Sequence, residues 1–137
     1  MGNINALRTD LDKQVHGTWF PYEAGIELKI ARWGNEKFLA AQRQIVEQRK
    51  VVLNAKELTD EQRLDANKEA AAQTILLDWR NLDDDSGPVP YSPARALEFF
   101  RDPELGAFWT FVFLTSVEEA NFRKARLEAD LKNCSTS

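Results

Sequence analysis

The chain of 137 residues predicts a mainly α fold, a small multi-helix domain with an N-terminal β-hairpin, bordering on the α+β class. Three observations carry that reading. Hydrophobic residues make up 43% of the chain, four Trp and eight Phe among them, which is enough for a packed core. Between Gly17 and Gly34 the chain is punctuated by Pro21 and Gly25. There Ile26, Leu28 and Ile30 alternate with Glu27, Lys29 and Ala31, the period-two pattern of a half-buried strand. Beyond Asn35 the apolar spacing changes to the period of an amphipathic helix. A domain of this length buries roughly 70% of the surface of its unfolded chain, so it needs no staple.

Each element follows from local signals. Thr18-Trp19-Phe20 supplies the partner of the Ile26 to Ile30 strand, and Tyr22-Glu23-Ala24-Gly25 the turn between them. A lone hairpin is marginal in water, so helices must cover it. Phe38, Ile45 and Val52 fall on one line and Leu39, Val46 and Leu53 on the next, giving a long helix after Asn35. Thr59 followed by Gln62 is a capping box that opens a second helix with an alanine-rich middle. Its expected inward stripe is Leu64, Ala71 and Ile75, widened at the end by Leu76 and Trp79. Ser92-Pro93 is an N-cap followed by proline at the first helical position, and that helix carries Leu97, Phe99 and Phe100. Asp102-Pro103 restarts the chain into another helix, whose face of Leu105, Phe108, Trp109 and Val112 is expected at the centre of the core. Ser116 with Glu119 reads as a second capping box that launches a charged final helix through Leu131. The expected organisation is a single domain over residues 1–133, with residues 134–137 a short disordered tail.

Composition and motifs narrow the function. The net charge is −4, and Lys and Arg are interspersed with Asp and Glu, which argues against a nucleic-acid footprint. Cys134 is the only cysteine, so no internal disulfide forms and a reducing cytosol is the simpler home. No apolar run approaches the ~18 residues of a membrane span. Met1 to His16 is too polar for a signal peptide, so the expectation is a soluble, cytoplasmic protein. The stretch "DWRNLDDDSGPVPYSP", Asp78 to Pro93, tests for a calcium loop. Counting from Asn81, the first, third and fifth ligands fit, but Ser86 stands where glycine belongs and Ser92 where the bidentate glutamate belongs. A turn is the better reading, since Gly87 permits positive φ and Pro88 and Pro90 enforce extended chain. His16 is the only histidine and stands in no nucleophile motif, and Glu118-Glu119 suits the first turn of a helix. No catalytic, cofactor or metal residue is therefore assigned. The aromatic residues of the second half are numerous enough to cover more than one face. Phe99, Phe100, Phe111 and Phe113 are the candidates for docking a partner.

From Gly17 to Lys124 the chain resembles the tail assembly chaperones of long, flexible-tailed bacteriophages. The likeness runs from "GTWFPYEAGIELKIARWGNEKF" to "LLDWRNLDDDSGPVPYSPARALEFFRDPELGAFWTFV" and "SVEEANFRK". Its most specific part is the order Asp78-Trp79, Asp85-Ser86-Gly87, Pro90-Tyr91-Ser92 and Asp102-Pro103. The resemblance implies a non-enzymatic helper in the cytoplasm of the host bacterium. Such a helper binds the tape-measure protein, keeps it soluble, helps recruit tail-tube subunits and is absent from the mature virion. It also implies a longer product made by a programmed frameshift. Lys132-Asn133 is the only Lys-Asn pair and fits the slippery run A-AAA-AAC, with Leu131 before it. Rival readings are a small virion structural protein, such as a head-tail joining or minor tail protein, a DNA-binding regulator, or a small enzyme. The mixed charge of Glu118, Glu119, Arg123, Lys124, Arg126, Glu128 and Asp130 disfavours the regulator.

Overall fold

The computed structural model describes residues 2–124. A 3-10 turn, Ile4–Leu7, leads to a short helix, α1 (Leu11–His16), capped by Asp10, whose carboxylate accepts from the N–H groups of Asp12 and Lys13. Gly17 ends α1 at a φ of 77°. A Cβ there would meet the Ile30 carbonyl oxygen at 3.0 Å, so glycine is what lets the chain turn into the sheet.

The expected hairpin is present, as β1 (Thr18–Pro21) and β2 (Glu27–Ile30), antiparallel with Phe20 opposite Leu28. A third strand, β3 (Leu76–Arg80), pairs antiparallel with the other edge of β2, placing Leu28 opposite Trp79. This corrects the sequence reading, in which Leu76 and Trp79 extended a helix. The helix α3 (Asp60–Thr74) stops before them. The far edge of β2 offers unpaired backbone groups beside the core, and pairing with them outweighs a local i, i+3 pattern. Phe20, Leu28, Ile30, Leu76 and Trp79 are buried, while on the other face the Arg80 guanidinium stacks 3.7 Å from the Trp19 ring.

The long helix α2 (Glu36–Leu53) starts at Asn35, a fully buried amide that is nonetheless satisfied. Its oxygen accepts from the Phe38 N–H at 3.0 Å and its nitrogen donates to the Arg32 carbonyl at 2.8 Å. Phe38, Ile45 and Val46 face the core as expected, but Leu39, Val52 and Leu53 are exposed. Val51, Val52 and Leu53 point in three directions about 100° apart and are all exposed, so the last turn of α2 runs past the core. The capping box of α3 forms in both directions between Thr59 and Gln62. Its buried face is Ala66, Ala70, Ala71 and Ala72, while Leu64 points to solvent. Small residues let neighbouring helices approach, and the alanines take the contact that Leu64 was expected to make.

The aspartate stretch is a turn. β4 (Asp83–Asp84) and β5 (Gly87–Pro88) form a small hairpin, with the Ser86 N–H donating to the Asp84 carboxylate at 2.7 Å. Trp79 then holds the following segment, its indole donating to the Val89 carbonyl at 2.7 Å. Helix α4 (Pro93–Arg101) begins at the Ser92 cap, and a 3-10 turn, Pro103–Leu105, leads into α5 (Gly106–Val117). The second capping box does not form, because α5 runs through Ser116. That side chain is buried and its hydroxyl donates to the Phe113 carbonyl at 2.7 Å. After α5 comes a 3-10 turn, Glu119–Phe122, capped by Glu118. Phe122 is buried against Phe20, and its carbonyl accepts from the Asp10 N–H at 2.7 Å, tying the two ends of the described chain. The final helix expected from Ser116 therefore does not start there, since the 3-10 turn ends in extended backbone at Arg123; its continuation through Leu131, the Lys132-Asn133 pair and the tail of residues 134–137 lie outside the described residues.

Candidate docking site

From Leu105 to Val117 the chain carries no charged residue, and Glu104 and Glu118 bound this run. A helix without a polar face is ordinarily surrounded by protein. Helix α5 is not. Its inner face is Phe108, Val112 and Ser116, all buried. On the opposite side Ala107, Thr110, Leu114 and Val117 stand at spacings of three, four and three. All four are exposed, Leu114 at 57% and Val117 at 40%. That spacing is the seam of two helices packed at a shallow angle. Thus α5 presents one apolar stripe to the core and a second to solvent.

Aromatic rings brace both flanks of the open stripe. On one side Phe113 stands edge-on to Trp33, their centroids 5.0 Å apart, and Trp109 packs on Phe100 at 4.9 Å. On the other side Phe111 lies 4.6 Å from Tyr22, which also meets Phe108 at 5.9 Å. The β1–β2 turn places Tyr22 there. Its N–H donates to the Ile26 carbonyl at 2.7 Å, with Ala24 and Gly25 both at positive φ to close the bend. Next to Tyr22 the start of α5 opens a hollow of about 410 Å³, lined chiefly by Ile26, Leu82, Phe99, Leu105 and Phe108. Glu23 and Glu104 also line it.

The four rings singled out from the sequence fall in three different settings. Phe100 is 1% exposed, so it is a core ring and its expected place on a partner surface is corrected: it is enclosed by Phe108 and Trp109. Phe99 is half-buried and lines the hollow, while Phe111 and Phe113 are half-buried on the two flanks of the stripe. The face expected at the centre of the core is also divided. Phe108 and Val112 are buried, Trp109 is half-buried and Leu105 is 37% exposed, because the 3-10 turn lifts Leu105 off the helix line. The sequence reading missed Ala107, Thr110, Leu114, Val117 and Tyr22. The uncharged run carried the signal, since its outer spacing matches a helical seam as well as its inner one does.

Polar groups elsewhere make structural clamps. Asp65 of α3 accepts two hydrogen bonds from Arg101 of α4, both at 2.9 Å, and one from Arg49 of α2 at 2.7 Å. Arg101 first, and Arg49 after it, hold the Asp65 carboxyl below its ordinary value against the opposing effect of burial. The Tyr91 hydroxyl donates to the Leu76 carbonyl at 2.5 Å, and burial pushes its pKa up to about 12. His16 is exposed at the end of α1, 3.9 Å from Asp12. Among the described residues no three His, Cys, Asp or Glu side chains are grouped to hold a metal ion, and no helix is long and apolar enough to cross a membrane.

A family model described as YdaY prophage protein matches residues 33–133, well over half of the chain. The chain belongs to the YdaY prophage protein family. The YdaY match begins at Trp33, the residue that braces Phe113, and takes in all of α2 through α5. The β1–β2 hairpin precedes it. No curated protein and no solved structure matches the chain.

Proposed function

We propose that this YdaY-family chain is a phage tail assembly chaperone, a non-enzymatic protein that binds the tape-measure protein in the host cytoplasm and helps tail-tube subunits assemble around it. One observation carries the reading: α5 has no charged residue and turns a second apolar stripe, through Leu114 and Val117, to solvent. A long helical client that exposes its own apolar seam would aggregate, and a helix face of matching spacing covers that seam. Prophage origin supports the setting, since a prophage carries the genes for its own tail. A longer frameshifted form, diverging after about Asn133, belongs to the same proposal.

Co-expression tests it. With this chain present, the tape-measure protein of the same prophage should stay in the soluble fraction and co-purify with it. Purified virions should lack the chain by mass spectrometry. A tape-measure protein that aggregates regardless refutes the chaperone role. Stoichiometric recovery in virions would make the chain a structural subunit of the head-tail joint or tail.

A further inference from the structure

We propose that the hollow at the start of α5 is a socket for one apolar side chain of the client, read together with a Lys or Arg beside it. The inference rests on the chaperone reading for the existence of a client, and adds which chemistry of that client is gripped. At about 410 Å³ the hollow is within the size range of sites that enclose a small ligand. It is also preformed. Tyr22 and Phe99 each stand edge-on to Phe108, at 5.9 Å and 6.0 Å, so an incoming side chain need not order the rings that receive it.

Charge selects what enters. Glu23 and Glu104 are exposed and line the hollow, and neither forms an ion pair among the described residues. Two unneutralised carboxylates beside an apolar depression favour a basic residue next to an apolar anchor and repel an acidic one. The Tyr22 hydroxyl has no hydrogen-bond partner among the described residues, which leaves it available to the client's backbone. Leu105 and Ala107 link the socket to the open stripe, so one amphipathic helix can lie along Thr110, Leu114 and Val117 and end in the hollow.

The test uses a labelled Leu–Lys amphipathic peptide about 18 residues long, enough to form a helix on binding, and its Leu–Glu twin. Fluorescence anisotropy follows binding to the full chain and to three variants: Ala107→Trp, which fills the hollow from an exposed position, the double variant Glu23→Lys/Glu104→Lys, and Leu114→Ser. Thermal melts verify that each variant folds. The Leu–Lys peptide should bind the parent, and Ala107→Trp and the charge-reversed variant should each weaken it roughly tenfold at low salt. The twin should prefer the charge-reversed variant. A response to charge reversal but not to Ala107→Trp means charge attraction alone and overturns the socket. Loss of binding only in Leu114→Ser also overturns it, while leaving the chaperone reading in place. If no variant changes either peptide binding or the solubility of the co-expressed tape-measure protein, both readings fall.

Discussion

Leu114→Ser separates folding from docking on a single helix. Leu114 is 57% exposed, so less than half of its side chain contributes to the folded chain. Full burial of a leucine is worth about 1.5 to 3 kcal/mol, which makes the part already buried about 0.6 to 1.3 and the part left for a partner about 0.9 to 1.7. The variant should therefore melt slightly below the parent yet weaken the complex with the tape-measure protein by roughly 4- to 16-fold. Val112, two residues earlier and fully buried, supplies the control. Val112→Ser loses the whole burial term, about 1.5 to 3 kcal/mol before any cavity penalty, and should affect binding only as far as it unfolds the chain. Chemical denaturation gives the stabilities, and calorimetric titration with a soluble tape-measure segment gives the affinities. If Leu114→Ser binds like the parent while its stability falls as calculated, the outer face of α5 is not the docking surface.

Asp65→Asn should lower the melting temperature at neutral pH by loosening the clamp of α2, α3 and α4. Because the folded carboxyl titrates below its ordinary value of 3.8, the lost contribution is complete above that value and disappears as acid protonates the parent, so the gap between the two melting curves should close there. A gap that persists through the acid range refutes the assignment. Tyr91→Phe should cost about 0.5 to 1.5 kcal/mol, since it removes the hydroxyl that donates to the Leu76 carbonyl. The phenol's pKa is raised to about 12, so its contribution is full below the ordinary value of 10 and is lost as pH rises through about 12, which a spectroscopic phenol titration can follow. Trp109→Ala should cost about 2 kcal/mol by denaturation, less than the ~3 to 5 of a fully buried aromatic, because the ring is only half-buried.

The parts of the fold visible in the sequence are those fixed within one turn of the chain. Thr59 and Ser92 declare helix starts because the groups they satisfy lie three residues away. The β1–β2 hairpin was legible for the same reason. β3 was not, since Leu76 and Trp79 at a spacing of three fit a helix equally well and only the distant edge of β2 decides between them. Leu64 failed as a core residue because the space facing α3 suits alanines, a matter of neighbouring helices and not of periodicity. Ser116 and Glu119 match the capping box in letters, yet a buried serine can instead bond its own helix, which an apolar run favours by continuing.

The site was half legible, and the missing half is a question of sign. Counting aromatics located the uncharged segment and two of its flanking rings, Phe111 and Phe113, but could not say which side of α5 turns inward, because both sides are apolar. Phe108 marks the inward side, because its ring interlocks with those of Phe99, Phe100 and Tyr22, whereas Ala107, Thr110, Leu114 and Val117 bring no ring to such a cluster. Each exposed ångström of that second stripe adds nothing to the stability of the lone chain. The free energy of covering it is available only to a partner with a matching seam, and in the proposed socket Glu23 and Glu104, neither of which forms an ion pair among the described residues, would favour a basic residue at one end of that seam.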